Sequence, residues 1–265
     1  MSLALSQALW RYRGFIFGSV KREFQARYRN SLLGAAWTVL QPLAMITVYT
    51  LVFSELMKTR LPGVNDPFAY SIYLCSGLLT WNLFTEIVQR CQTVFLDNGN
   101  MIKKLSFPRI CLPTIVVSTA LVNFAITFIV FMVFLLITKH LPGLVLLAVI
   151  PLVLFQVMFA AGMGIVVGVL NVFFRDVGQF VNILLQFWFW FTPIVYSTST
   201  LPIRVQPWIH LNPLTAFAQA YQGIFVNDSW PQWSALWPSI VAGFILCLLA
   251  LALFRQRSAE MVDEL

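Results

Sequence analysis

The chain has 265 residues, of which 59% are hydrophobic, 15% aromatic and only 10% charged. Soluble domains usually carry about 25% charged residues, so too few polar side chains are present to cover a water-facing surface. The composition therefore excludes an ordinary soluble enzyme, a disordered tail and a secreted disulfide-rich domain, and it indicates an integral membrane protein. The formal net charge is +7, and its distribution decides whether it points to nucleic acid or to membrane orientation.

Residues 1–33 form a basic leading segment that lacks the short apolar core and cleavage site of a secretory signal peptide. Its apolar residues recur at helical spacing and three arginines fall on the opposite face: Leu9, Ile16, Val20 and Phe24 against Arg11, Arg22 and Arg29. This pattern predicts an amphipathic helix in the cytoplasmic interface of the membrane. The alternative is a solvated basic tail.

Six apolar stretches are each long enough to cross a bilayer, which takes about 20 helical residues. They are Gly34–Met57, Pro67–Val88, Ile110–Thr138, Leu141–Leu170, Val177–Ser197 and Ala235–Phe254. Helices are expected, because isolated strands in lipid leave backbone groups without hydrogen bonds. The predicted fold is an all-α integral membrane protein with six transmembrane helices in residues 34–254 and a cytoplasmic tail in residues 255–265.

The basic residues predict the orientation of these spans. An even number of spans puts both termini on one side, where thirteen lysines and arginines lie, against four on the other side. Basic residues concentrate on the cytoplasmic side, so both termini are predicted to be cytoplasmic. The positive charge is then a topology signal and an attraction for anionic lipid, and no nucleic-acid partner is expected.

Two connections are unusual. The cytoplasmic loop at about residues 90–109 contains an amphipathic turn that ends in F-P-R, which suits insertion into another protein; the alternative is a lipid-facing loop. The outer segment at about residues 198–233 is interrupted by prolines and leaves Leu214–Val226 as a helix too short to span. We expect a re-entrant pair of half-helices at an outer gate, with an aromatic-rich interfacial loop as the alternative.

Two local patterns indicate structural contacts. Glu86 lies four residues before Arg90, which predicts an ion pair along one helix face, structural rather than catalytic. Ala160, Gly164 and Gly168 form a stripe of small residues that lets another helix approach closely.

Several motifs are absent from the sequence. No lysine follows a glycine, so the chain has no G-x-x-x-x-G-K-[ST] phosphate loop. It also has no H-E-x-x-H motif, no nucleophile elbow and no C-x-x-C pair, and only two histidines that could ligate a metal. The spans lack the interior charges of an ion-coupled transporter. Neither a catalytic site nor a metal site is expected, and any energy must come from a partner.

Five motifs carry a family resemblance. In chain order they are Lys21–Trp37 with Gln41-Pro42; Ile102-Lys103-Lys104, Phe107-Pro108-Arg109 and Leu112-Pro113; Asn171–Val177; Thr192–Tyr196; and Asn212-Pro213. Together they resemble the ABC-type permeases that export polysaccharides or polyol phosphates across the bacterial inner membrane. The resemblance is nearest to the O-antigen type, with capsule and teichoic-acid exporters as relatives.

The resemblance implies a set of partners. Such a permease works as two copies with two separate nucleotide-binding subunits, which carry the ATP and Mg, and this chain itself is expected to hold no cofactor. Its cargo is a polyprenyl-diphosphate-linked glycan within membrane lipid. The leading helix and the 90–109 loop contact the nucleotide-binding subunits, and the predicted coupling residues are Asn98, Asn100, Lys103, Lys104, Phe107, Pro108 and Arg109.

Two further groups of residues are candidates for contact with the cargo. Cationic or paired side chains on the cytoplasmic side are candidates for lipid phosphate or a cytoplasmic gate: Arg27, Arg29, Arg109, Arg175 and Asp176. Aromatic rings suit the C–H faces of sugars, and the candidates for the glycan path are Trp37, Tyr49, Trp81, Phe84, Trp188, Trp190 and Tyr196. Alternatively, these rings only anchor the spans at the membrane interfaces.

Two other functions remain compatible with the residues. One is an exporter of the same architecture that carries a drug or a small lipid. The other is a membrane enzyme acting on a polyprenyl-phosphate sugar, which predicts catalytic acids or an acidic metal motif that the sequence lacks.

Overall fold

The computed structural model describes residues 10–29, 33–56, 61, 66–104, 108–257 and 260–264, and every regular element in these residues is a helix. The all-α prediction is therefore confirmed for the described chain. The α-helices are α1 (Arg13–Tyr28), α2 (Trp37–Thr50), α3 (Ala69–Asp97), α4 (Gly99–Lys104), α5 (Cys111–Thr138), α6 (Val149–Phe173), α7 (Asp176–Phe191), α8 (Gln206–His210), α9 (Pro213–Asn227), α10 (Trp233–Arg257) and α11 (Glu260–Glu264). Short 3₁₀ turns add Gly34–Ala36, Leu144–Ala148 and Thr198–Thr200, and α2 continues as a π-helical turn over Leu51–Leu56.

Four helices in the described residues are long and apolar enough to cross a membrane. They cover Trp37–Ser54, Cys111–Thr138, Leu144–Phe173 and Trp233–Arg257. Of the other two predicted spans, α3 has 29 residues but carries many polar side chains. Helix α7 has 16 residues, fewer than the roughly 20 that a perpendicular span needs.

Helix α3 is the centre of the bundle. It packs against α2, α5, α6, α7 and α9, and most of its residues from Ala69 to Phe95 are buried. Hydroxyl groups inside this helix bond to its own backbone, as when Ser76 donates to the carbonyl of Tyr73 at 2.8 Å. A helix surrounded by protein needs no lipid-facing apolar surface, and this explains its lower hydropathy.

Glycines of α6 allow the closest helix contacts. A Cβ atom on Gly168 would lie 2.4 Å from the carbonyl oxygen of Cys91, and one on Gly164 would lie 2.7 Å from the Cys91 Cβ. On the other side of α6, a Cβ on Gly162 would lie 2.8 Å from the backbone nitrogen of Cys247 in α10. The predicted small-residue stripe therefore packs against α3, and dispersion contacts between the two backbones stabilise the pair.

The leading segment forms the predicted helix, α1, but its apolar face meets protein. Ile16 packs with Cys111 and Ile115 at the start of α5, and Val20 lies beside them. Among the described residues of this segment, the bulky apolar side chains left exposed are Trp10, Phe17 and Leu33. The sequence pattern did not predict this contact with α5, because periodicity identifies an apolar face without naming what covers it.

The C-terminal residues also pack on the bundle. Helix α10 continues to Arg257, and the side chain of Met261 in α11 is fully buried. Helix α11 contacts α6 and the short helix α4. The described part of the predicted cytoplasmic tail therefore contacts the loop at residues 90–109.

The connection between α7 and α10 contains the predicted short helix. Helix α9 covers Pro213–Asn227 and is largely buried against α3. Asn212 caps its N-terminus, since the Asn212 Oδ1 accepts from the Leu214 N–H at 3.0 Å, and proline at the first helical position suits that end. The helix ends at Asp228, whose φ of 46° is left-handed.

Candidate functional site

One face of α3 is polar. Asn82, Thr85, Glu86 and Gln89 recur at three- and four-residue spacing, so they lie along one side of the helix. Asn82 and Gln89 are exposed, whereas Thr85 and Glu86 are half-buried. Apart from Glu86, the face offers uncharged hydroxyl and amide groups inside an apolar bundle. The sequence analysis missed this face, although the spacing of polar residues within a predicted span was the available signal.

Two cavities open on the polar face of α3. The first, of about 570 Å³, lies between α2, α3 and α5 and has Asn82 and Glu86 in its wall. The second, of about 920 Å³, lies between α3 and α7. Thr85 and Gln89 line both cavities. The polar face therefore lies between the two cavities. Helix α2 forms part of the opposite wall of the first cavity, and α7 forms the opposite wall of the second.

The wall of the second cavity contains both amides and aromatic rings. Gln92 Nε2 donates to Asn182 Oδ1 at 3.2 Å and so links α3 to α7, and Gln186 lies one turn further along α7. Trp81 meets Phe189 edge-to-face with 5.4 Å between ring centroids. Amide groups and aromatic faces side by side suit a ligand that has both hydroxyl groups and apolar C–H faces.

Three of the predicted aromatic residues lie at these cavities. Tyr49 lines the first cavity, and Trp81 and Trp190 line the second. Trp190 is 65% exposed. The structure thus brings part of the predicted aromatic set onto the polar face of α3.

The other predicted aromatic residues lie elsewhere. Phe84 is fully buried, stacked on Phe159 and edge-to-face with Trp188, so a glycan-lining role for Phe84 does not fit its place in the core. Trp188 Nε1 donates to Asn212 Oδ1 at 2.8 Å, a contact that fixes α7 to the start of α9. Tyr196 donates its hydroxyl to the Trp190 carbonyl at 2.9 Å, and Trp37 is exposed at the start of α2.

At the N-terminal end of α3, side chains hold the irregular segment Thr192–Tyr196. Its carbonyl oxygens accept hydrogen bonds from Tyr70 at 2.5 Å, from Tyr73 at 2.9 and 3.1 Å, and from Gln222 at 2.9 Å. Ile194 is fully buried beneath these contacts. The side chains satisfy backbone oxygens where the helix has ended, as non-helical backbone in apolar surroundings requires.

Asn212 joins two of the sequence motifs. Its Nδ2 donates to Thr192 Oγ1 at 2.9 Å, while its Oδ1 caps α9 and accepts from Trp188. The T-P-I-V-Y and N-P motifs, twenty residues apart, therefore meet at one side chain. An N-cap requires a side-chain oxygen that accepts from the first turn of the helix, and this explains the asparagine of the N-P motif.

Asn171 fixes the turn between α6 and α7. Its Oδ1 accepts from the Gly178 N–H and its Nδ2 donates to the Gln92 carbonyl, both at 2.8 Å. Arg175 and Asp176, both proposed from sequence, are exposed on this turn. Asp176 stands in the first turn of α7, where a carboxylate interacts favourably with the helix dipole.

The 90–109 loop forms a tight helical corner. Asn98 Nδ2 donates to the Val94 carbonyl at 2.8 Å, and α4 begins at the next residue. Asn100 and Lys103 are exposed on α4, and Pro108 and Arg109 are half-buried before α5.

Some predicted site residues fall outside the described parts of the structure. Phe107 lies outside the described residues, as do the side chains of Lys104 and Arg27. Arg29 is described and is exposed at the end of α1.

Side chains from three helices form a cluster around Arg90 near the C-terminal end of α3. Arg90 contacts the Glu23 carboxylate of α1 and, at 3.4 Å, the Glu86 carboxylate one turn earlier. Thr119 of α5 donates to Glu23 at 3.1 Å, and Asn123 donates to Glu86. The predicted Glu86–Arg90 pair is thus confirmed as part of a larger cluster. The sequence also contained a signal for the other members of this cluster, because Glu23 is the sole acid of the basic leading segment.

The comparisons with known proteins agree with this architecture. A family model described as "ABC-2 type transporter" matches residues 16–226. The O-antigen export system permease protein RfbA of Myxococcus xanthus is 31% identical over 265 residues, covering 99% of this chain and all of the relative. A protein of the same name from Klebsiella pneumoniae is 29% identical over 268 residues, covering both chains completely.

A more distant relative is named for another polysaccharide. The polysialic acid transport protein KpsM of Escherichia coli is 19% identical over 247 residues, covering 92% of this chain and 93% of the relative. The matching family is a transporter family and the full-length relatives are named as export permeases, so the enzyme alternative is excluded. The chain belongs to the ABC-2 type transporter family and is a membrane-spanning permease of the polysaccharide-export type.

Proposed function

We propose that the chain is the membrane subunit of an ABC transporter that exports a lipid-linked polysaccharide of the O-antigen type from the cytoplasmic face of the inner membrane. The observation that carries the proposal is the polar face of α3 between two cavities, uncharged except for Glu86, with tryptophan rings beside it. Hydroxyl and amide groups exchange hydrogen bonds with sugar hydroxyls at little net cost. A small lipid or an apolar drug would leave these groups without partners.

Six spans and cytoplasmic termini complete the proposed topology. Helices α3 and α7 then cross with the four apolar helices, α3 shielded from lipid by its neighbours and α7 inclined or continued by Thr192–Tyr196. The side of the loops follows from the concentration of lysine and arginine. In this arrangement α9 and the segment before it form a re-entrant outer gate, supported by the side-chain bonds to the carbonyls of Thr192–Tyr196.

The proposed route lies between two copies of the chain. Helix α2 has one buried residue, Ile46, and α7 exposes a row of large apolar side chains that includes Phe180 and Phe187. These two helices bound the cavities on the polar face of α3. A second copy facing them would close both cavities into one enclosed path.

The energy source is proposed to be two separate nucleotide-binding subunits that carry ATP and Mg. They would dock on α1 and on the 90–109 loop through the coupling residues Asn98, Asn100, Lys103, Lys104, Phe107, Pro108 and Arg109. The cationic candidates Arg27, Arg29, Arg109 and Arg175, together with Asp176, which follows Arg175 in the sequence, are proposed to meet the diphosphate of the carrier lipid.

Deletion of the chain from its host tests this function directly. Radiolabelled sugar and membrane fractionation would follow the lipid-linked polymer, and we expect it to accumulate on the cytoplasmic face while the cell surface lacks it. A plasmid copy of the chain should restore the surface polymer. Surface glycan that is unchanged by the deletion would refute the polysaccharide cargo and favour a drug or a small lipid.

A further inference from the structure

The cluster around Arg90 joins three helices through one guanidinium group. Arg90 Nη2 contacts Glu23 of α1, while Nη1 lies 3.4 Å from Glu86 of α3. Thr119 and Asn123 of α5 each donate to one of the two carboxylates. The planar guanidinium is suited to bind two carboxylates at once, which a lysine ammonium on its flexible stem does not do with defined geometry.

Arg90 also lies between two cavities. It lines the first cavity together with Glu86, and it lines a third cavity of about 430 Å³ together with Glu23. The third cavity lies between α1, α3 and α5 and reaches Asn98 and Met101 at the cytoplasmic corner. Arg90 and its two carboxylates therefore separate a space on the polar face of α3 from a space beneath α1.

The environment makes these ion pairs stronger than an ordinary surface pair. The exposed fractions of the side chains are 24% for Arg90, 24% for Glu86 and 32% for Glu23. In the exposed pair Arg257–Glu260 they are 52% and 51%. Partial removal of water raises the interaction between charges, and two carboxylates without their shared cation repel each other.

We propose that Arg90 is a positioning residue that couples α1 to the polar face of α3. The inference rests on the proposed function, in which α1 contacts the nucleotide-binding subunits. Movement of α1 carries Glu23 away from the guanidinium, and the third cavity then opens toward the first. Arg90 keeps Glu86 as a partner throughout, so the cation is never left alone in the bundle.

The first test measures whether Arg90 holds α1 in place, and it does not depend on export. Ser19 of α1 lines the third cavity and is half-buried, so Ser19→Cys would react slowly with a membrane-impermeant maleimide in inside-out vesicles. Adding Arg90→Ala should speed the labelling about tenfold, as expected when a partly buried ion pair is broken. The chain without Ser19→Cys gives the background from the native cysteines, of which Cys75, Cys91 and Cys111 are buried.

The second test uses the permease assembled with its nucleotide-binding subunits. Arg90→Ala should lower export about tenfold, while copurification of the subunits and basal ATP hydrolysis stay near the original values. Arg90→Lys keeps the charge but loses the two-pronged contact, so we expect an intermediate defect. The combined exchange of Glu23→Arg with Arg90→Glu restores the ion pair between positions 23 and 90 with its charges reversed and should recover part of the export. Arg257→Ala, which breaks the exposed pair, serves as the control and should leave export unchanged.

The outcomes separate this inference from the proposed function. Unchanged Ser19→Cys labelling in the Arg90→Ala chain, or full export by a well-assembled Arg90→Ala permease, would overturn the coupling role. A failure of all Arg90 variants, Lys included, to assemble with the subunits would reduce the cluster to a folding element and also overturn it. If the unmodified permease exported no glycan but the labelling still changed as expected, the proposed cargo would be wrong and the contact between Arg90 and α1 would stand.

Discussion

The two ends of α3 are held by different chemistry. At the C-terminal end, charged side chains of separate helices meet one another, with Arg90 between Glu23 and Glu86. At the N-terminal end, Tyr73 and Gln222 donate to backbone carbonyls of the segment Thr192–Tyr196. Ion pairs between side chains therefore hold one end of α3. At the other end, side chains donate hydrogen bonds to backbone carbonyls of a non-helical segment.

This difference indicates which end can change its contacts at lower cost. A displacement of α1 leaves Arg90 paired with Glu86, and Glu23, whose side chain is 32% exposed, can be solvated through the cavity that it lines. A backbone carbonyl that loses its donor inside an apolar bundle has no such replacement, and the loss costs about 1–3 kcal/mol. A movement that begins at α1 is thus expected to change the contacts of Glu23 before those of the segment Thr192–Tyr196.

Both ends depend on the contact of α3 with α6, so the largest effect is expected there. Gly168→Leu would place side-chain atoms where the Cys91 carbonyl oxygen lies, since even a Cβ would come within 2.4 Å of it. We expect a loss of about 3 kcal/mol or more in stability and little folded permease in the membrane. Size-exclusion profiles of the detergent-solubilised chain would measure this.

A glycine in open surroundings provides the control for this substitution. A Cβ added to Gly14 of α1 would meet no described atom within 4 Å outside its own helix turn, so Gly14→Leu should leave the profile unchanged. Equal yields of the Gly168→Leu and unmodified chains would show that α3 and α6 do not approach as closely as described.

The next largest effect should appear at the N-terminal end of α3. Tyr73→Phe removes the donor to the Tyr196 carbonyl, while Pro193 keeps its bond from Gln222. We expect a loss of about 1–2 kcal/mol, which lowers the midpoint of thermal unfolding by a few degrees in a chain of this size. Tyr49→Phe is the control, because the Tyr49 hydroxyl has no hydrogen-bond partner among the described residues. If the Tyr73→Phe chain unfolded at the same temperature as the unmodified chain, the hydrogen bond of Tyr73 would not stabilise this end of α3.

The helical class, the close-packed face of α6 and the short helix α9 were predictable from sequence because they depend on local patterns. Apolar length, the small residues Gly164 and Gly168, and the proline at the start of α9 each act over one or two helical turns. The span count was harder to read, since α3 is polar and α7 is short. The packing of neighbouring helices decides whether such segments cross a membrane.

The candidate site was only partly predictable for a related reason. Aromatic residues could be named from composition, but burial separates Phe84 in the core from Trp81 at a cavity. The contact of Glu23 with Arg90 joins residues 67 positions apart. A single sequence gives the spacing within one helix, and it does not give the partner that another helix supplies.

The smallest effect on stability, with a selective effect on export, is expected on the polar face of α3 beside its charged end. Gln89 is exposed and lines both cavities, so Gln89→Leu should change stability by less than about 0.5 kcal/mol. The variant loses hydrogen bonds to a passing sugar chain, each worth about 1 kcal/mol, and export should therefore fall several-fold. Gln179→Leu makes the same change at an exposed position of α7 outside both cavities and should leave export intact. Export rates in reconstituted vesicles would decide the matter. An equal response of the two variants would remove the polar face of α3 from the route, whereas a defect confined to Gln89→Leu would mean that the sugar chain touches α3 beside its charged end.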